Sequence, residues 1–330
     1  MTKRTAYIIL LVTLILCLVA GLFLAAHVVQ TEDEASVTTV IQPSGKHTQT
    51  PQTDPTDPQM IPNSYLSQPF DARSVRVLQT NITFEDLTVE QREGDTVGVI
   101  VTGPQTDRYT PPTVIVEDGV LSIKSQTKSM NGVMITDEWW TVTVLAPADV
   151  LQMLTVQTSS GDVRLSYACP EIAIKTSSGD VFVQTGGQTL NTSTSSGNQR
   201  VDGDFESCTL HSNSGDLAVS GKVNHLTMGT SSGDMSLTGK TQVLQTQSSS
   251  GDQLLALAAD AKTAVLKSSS GDIRLTMDNK TDYRVVFAGS SGELHDRIDK
   301  RDAEDRADYS VGGGTMRIEV ATSSGNVTIQ

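Results

Sequence analysis

From residue 70 onward apolar residues fall at alternate positions in short runs, "SVRVLQ", "TVGVIV", "TVIVEDGVLSIKS" and "WWTVTVLAP". A period of two places successive side chains on opposite faces of an extended chain, so these runs predict strands. No helix-period stretch of useful length interrupts them. Beyond residue 155 the strands become regular. The glycines of the motif SSG (NSG once) stand at Gly161, Gly179, Gly197, Gly215, Gly233 and Gly251, each 18 residues after the last. Gly271, Gly292 and Gly325 follow at longer intervals. A fixed period of this size means stacked units, each too small to bury its own apolar face.

Counted from the glycine, apolar residues recur two and four positions on, as Val163 and Leu165, Val181 and Val183, Leu217 and Val219, Met235 and Leu237, Ile273 and Leu275. They recur again at eleven and thirteen, as Ile172 and Ile174 or Leu226 and Met228, and a second break falls near six, at Gly186, Gly221 and Gly239. Each coil therefore holds two main strands and two turns. A triangular helix of hexapeptides would need an apolar residue every six, and Val163, Cys169, Lys175 fails that pattern. The predicted fold is all-β: a single-stack, flattened parallel β-solenoid of about 18 residues per coil. With coils about 4.8 Å apart, nine motif steps make a stack of roughly 40 Å.

Stacking aligns Ser160, Ser178, Ser196, Ser214, Ser232, Ser250 and Ser270 in one column. The glycines form the next, and Asp162, Asp180, Asn198, Asp216, Asp234, Asp252 and Asp272 the one after. The structural reading is a tight corner: glycine supplies positive φ, and Ser and Asp tie down local amides. The functional alternative is a carboxylate ladder for Ca²⁺ along Asp162, Asp180, Asp216, Asp234, Asp252 and Asp272. Calcium wants six to eight oxygens, drawn in the calcium β-roll from both edges of the stack, whereas here one edge carries the acids. Asn198 and Asn326 replace Asp with no other change in the motif, so the corner is the preferred reading, with no metal and no cofactor. Catalysis is disfavoured too. A nucleophilic Ser needs a base, and His211 and His225 occupy different phases of the repeat.

At the N-terminus, Ala6 to Ala26 carries no charge, with Lys3 and Arg4 before it and Glu32, Asp33 and Glu34 after. As a helix these 21 residues span roughly 31 Å, the thickness of a bilayer core. The charge bias leaves residues 1–5 cytoplasmic and sends the rest outside. A cleaved signal peptide would have a shorter apolar region and a small-residue cleavage site, so 6–29 is read as an uncleaved signal-anchor helix. Residues 30–69, rich in Pro, Thr and Gln, form a flexible tether. Residues 70–155 are a β-rich N-terminal part of the solenoid domain, and 156–330 the repeat with a closing coil.

The remaining features narrow the function. Only 4% of residues are aromatic, which suits a thin repetitive core, and of Trp139 and Trp140 at least one should fill it rather than stack on sugar. The formal charge of -14 argues against nucleic acid. Cys17, Cys169 and Cys208 are too few for a disulfide framework; Cys169 and Cys208 lie too far apart along the stack to bridge, and Cys208 should be a core thiol. After Gly292 the phase breaks, and a charged excursion with a final coil should cover the open end of the stack against aggregation.

The strand "WWTVTVLAPADVLQMLTVQTSSGDVRL", the ladder of 18 and the closing "GGGTMRIEVATSSGNVTI" resemble a bacterial family of SSGD-repeat proteins labelled as adhesins, a domain of unknown function found in envelope proteins of many Gram-positive bacteria. The resemblance covers about residues 70 to 330. It implies a β-solenoid at the cell surface, membrane-anchored in some members and encoded near envelope-stress systems, and it supplies no catalytic residues. The expectation is a single-pass membrane protein with an extracytoplasmic, non-catalytic module that contacts cell-wall polysaccharide or an envelope protein. An envelope-stress sensor or accessory protein bound to a membrane partner is the alternative.

Overall fold

The computed structural model describes residues 64–103, 111–126, 140–278 and 280–330, with side chains from residue 68 onward. They fall within one unit, Pro58–Gln330. The predicted transmembrane helix, nearly all of the tether, Cys17 and Trp139 lie outside the described residues. Among those described, no helix is long and apolar enough to cross a membrane.

Among the described residues the alternation read in the sequence becomes two facing sheets of 14 and 13 strands. Each coil gives one strand to each sheet, and neighbouring coils pair parallel with a register shift of one repeat. In the first sheet Val163, Val181, Gln199, Leu217, Met235, Gln253 and Ile273 align in one inward column. In the second, Leu154, Ile172, Leu190, Cys208, Leu226, Leu244 and Ala264 do the same. These columns meet in a continuous aliphatic core in which nearly every member is almost completely buried. Backbone hydrogen bonds run between coils, so a thin core with few aromatics suffices. The coil from Gly251 to Gly271 carries two extra residues, which the second turn absorbs by tucking Ala258 and Ala261 inward.

The ends depart from the expected order. Val77–Asn81 and Asp86–Gln91 pair directly with the coil Met153–Gln157 and Val163–Ser166. Val120–Lys124 and Thr141–Ala146, although nearer in sequence, lie outside them. The other end repeats the device: Met316–Thr322 and Val327–Ile329 slide between the coil of Thr263–Ser268 and Ile273–Met277 and that of Tyr283–Ala288 and Leu294–Asp296. The closing strands therefore do not cover the open end. They are held on both sides, where a terminal segment gains two ladders of hydrogen bonds instead of one. The charged excursion does cover the end, as the antiparallel strands Arg301–Ala303 and Arg306–Val311. Among the described residues eleven parallel coils result, a stack of roughly 50 Å at about 4.8 Å per coil, longer than the motif count implied.

The first strand, Ser64–Asp71, begins inside the segment assigned to the tether. Pairing with Thr96–Thr102 recruits it, and as an edge strand it tolerates Pro69. Trp140 is 6% exposed, its ring seated against Gly103, where a Cβ would come within 2.3 Å. This is the core role expected of one of the two tryptophans.

Candidate functional site

The SSGD edge is built by close approach rather than by unusual dihedrals. Among the described glycines positive φ occurs at Gly94, Gly119, Gly312 and Gly314, and none belongs to the motif column. A Cβ on Gly179, Gly197, Gly215, Gly233, Gly251 or Gly271 would fall 1.8–2.1 Å from the carbonyl oxygen of the motif glycine one coil before, and on Gly161 1.8 Å from the Glu85 oxygen. Gly325 sits in the same way over Gly271, and Gly292 over Gly325, following the spatial order of the coils. On the opposite edge Gly203, Gly221 and Gly239 form a matching column that begins over the Thr185 carbonyl; Gly203 is absent from the sequence-based set, and Gly186 stands one position out of the column, facing Asp204.

The polar residues of the motif also work differently from expectation. The motif serines are exposed, and among the described residues their hydroxyls make no hydrogen bond. The buried Thr or Ser three residues before the glycine takes that part. Thr158, Thr176, Ser212, Thr230, Ser248 and Thr322 accept from the motif glycine's N–H at 2.8–3.2 Å. This column was written in the sequence as the T of TSSGD. The Asp column ties coils together rather than folding back on its own turn. Each backbone N–H donates to the Oδ1 one coil earlier, from Asp180 to Asp162, through Asn198, Asp216, Asp234 and Asp252 to Asp272, at 2.7–3.0 Å. Asp86 begins the ladder, and Asn326 with the Glu293 N–H ends it. An amide oxygen serves this bond as well as a carboxylate, which explains why Asn interrupts the column harmlessly. The ladder presents at most one carboxylate per coil, and among the described residues no three His, Cys, Asp or Glu side chains converge as metal ligands.

Elsewhere polar groups enter the core. Gln199 and Gln253 occupy inward positions that are apolar in other coils, each 1% exposed. Gln199 accepts from the Thr192 hydroxyl and donates to the His211 carbonyl at 2.6 Å; Gln253 accepts from Thr246 at 2.5 Å and donates to the Lys267 carbonyl at 2.7 Å. Both bridge the two sheets. Cys169 and Cys208 are buried free thiols, as geometry required, and burial pushes them up to about 11 and about 12. At the far end, buried Asp296 accepts from the hydroxyls of Tyr283 at 2.8 Å and Tyr309 at 2.6 Å; burial first, then this carboxylate, holds both phenols above their usual range. Exposed Asp282 accepts from the Thr315 amide and hydroxyl, which hold its carboxyl below the usual range.

Three outer surfaces remain as places for a ligand. A depression of about 440 Å³ at the far end is lined by Glu293, His295, Asp302, Ala303 and Glu304, with His295 Nδ1 2.8 Å from Asp302. On the outside of the first sheet, Phe182 lies in register between Arg164 and Arg200; the Arg164 guanidinium is 5.5 Å from the ring centroid and also pairs with Asp162. The outside of the second sheet carries His211 and His225. These are not brought to the motif serines, and among the described residues no Ser–His pair is hydrogen-bonded.

Comparison with known proteins places this geometry. The solenoid resembles a "Putative lipid binding protein" from Parabacteroides distasonis at 16% identity, over 82% of this chain and 97% of that one, with a TM-score of 0.51. A "putative adhesin" from the same organism gives 17% identity, 80% and 96% coverage and a TM-score of 0.49. Another from Parabacteroides merdae gives 11%, 80% and 95%, and 0.49. At such identities the first likeness speaks to fold alone. No curated protein matches. The family model of Toastrack DUF4097 matches residues 78–330, a span that takes in all the parallel coils but for one residue, so the chain belongs to the Toastrack DUF4097 family.

Proposed function

We propose that the chain is a non-catalytic contact module of the bacterial cell surface, held to the membrane by residues 6–29 and reaching outward through the tether to adhere to other surfaces or to the cell wall. The observation that supports this most is the pair of outer sheet faces, each running over eleven coils, on which, among the described residues, no three His, Cys, Asp or Glu side chains converge. Such faces bind by repeated shallow contacts, and sheet geometry holds the contacting side chains in fixed columns. The test is co-sedimentation of the full chain with purified cell-wall sacculi and, separately, with vesicles of bacterial membrane extract. Saturable binding to sacculi is expected. Binding to the membrane extract alone would favour an accessory protein of a membrane partner, and binding to neither would overturn the reading.

A further inference from the structure

Resting on that contact-module reading, we propose that the outer face of the second sheet across residues 187–248 is the binding surface, and that its ligand is an uncharged polysaccharide. The outward positions of 189–193, 207–211, 225–229 and 243–247 hold only Thr, Asn, Ser, His, Gly, Val and Gln, with no formal charge, on a chain whose net charge is -14. Charged residues border this field: Glu171 and Lys175 on one side, Lys267 on the other, and Lys222 and Lys240, paired in register, at the start of two of its strands. Glu206 sits at its margin, engaged with Asn224 at 2.5 Å and 3.9 Å from His225.

Register sets Asn191, Thr209, Thr227 and Gln245 side by side in one outward column, spaced about 4.8 Å apart by the pairing of their strands. Among the described residues none of these four side chains hydrogen-bonds to the protein, in contrast to the inward Thr and Ser of the turn column. A field of uncharged donors and acceptors left unused, on a rigid flat support, matches a ligand that presents many hydroxyl or amide groups and no charge. An anionic polymer would instead call for a run of cations across the field, such as the Arg164–Phe182–Arg200 stripe of the opposite sheet; on this face the lysines stand only along the borders.

The experiment measures depletion of the full chain by cellulose and by chitin particles, beside sacculi, at low and high salt. Binding to one of the two glycans that changes less than about twofold between the salt conditions is expected, since no ion pair is involved. Thr209→Lys with Thr227→Lys should weaken it about tenfold or more, each lost network being worth roughly a factor of ten. Ala218→Lys with Ser236→Lys on the opposite sheet should leave it unchanged. Thermal midpoints equal to the parent's establish that both variants fold. The proposal is overturned if sacculi bind and neither glycan does, which leaves the contact-module reading standing, or if the opposite-face variant loses binding while the first does not. It is overturned also if the Thr variants only convert a dimer to a monomer in sedimentation, which would make the face a contact between copies. Failure to bind sacculi as well would overturn both.

Discussion

Gly215 stands in the middle of the motif column, buried, with ordinary negative-φ backbone. Replacing it with Ala brings a Cβ 1.9 Å from the Gly197 carbonyl oxygen and 3.0 Å from Ser212 Oγ. Since real Cβ contacts do not fall under 3.0 Å, the coils must part locally by about 1 Å. The Ser214 N–H bond to the Ser195 carbonyl, 3.0 Å, and the Asp216 N–H bond to Asn198 Oδ1, 2.9 Å, would then both fail. Two lost bonds at about 0.5–1.5 kcal/mol each and overpacking of about 1–3 kcal/mol outweigh the 0.4–1 kcal/mol that Ala gains by restricting the unfolded chain. The expected net loss is about 1–6 kcal/mol. Gly215→Asn separates the two accounts of the glycine. Were positive φ the requirement, Asn would be the milder substitution, because it tolerates the left-handed region; with close approach as the requirement, Asn is at least as damaging as Ala. Urea unfolding of the full chain and both variants, followed by circular dichroism, reads the difference. A loss under about 1 kcal/mol for Ala, or Asn milder than Ala, refutes the close-packing argument.

Three further outcomes follow from the same geometry. Thr230→Val removes the acceptor of the buried Gly233 N–H and should cost about 1–3 kcal/mol, whereas Thr230→Ser, which copies Ser212 and Ser248, should cost under about 1 kcal/mol; urea midpoints decide. Gln199→Val strands the Thr192 hydroxyl and the His211 carbonyl and should cost about 1–3 kcal/mol, much of it recovered in the double variant with Thr192→Val; strictly additive losses in that cycle would refute the pairing. Cys208 titrates at about 12 and Cys169 at about 11 in the folded chain, against 9 for a free thiol. The unfolded chain therefore releases these protons first, so this contribution to stability is full below about pH 9 and is lost as pH rises, by up to about 1.4 kcal/mol per pH unit for each thiol, Cys169's share ending near pH 11 and Cys208's near 12. Cys208→Ala should remove one thiol's share of that slope between pH 9 and 10, and an unchanged slope would refute the assignment.

The period of 18 determined the coil, because a strand's inward positions are set by alternation and every coil repeats the same local problem. Val163, Val181 and Leu217 could be placed in one core column before any coordinates, whereas the local amide-binding role that the motif suggested for Ser and Asp fell, once the turn was built, to the buried Thr before them. The order of the coils at the two ends was decided only in three dimensions. Val77–Asn81 and Val120–Lys124 carry the same alternation, and nothing local states which of them adjoins Met153–Gln157. Gly215 was legible as special, but the reason for it, a carbonyl one coil away, belongs to no stretch of sequence. Gln199 and Gln253 broke the apolar column because their partners come from the other sheet. The uncharged field around Thr209 and Thr227 likewise exists only because stacking aligns residues 18 apart on one outward face. Local chemistry thus wrote the repeat unit, while contacts between units, which carry most of the hydrogen bonds, fixed the edges, the ends and the surfaces available to a ligand.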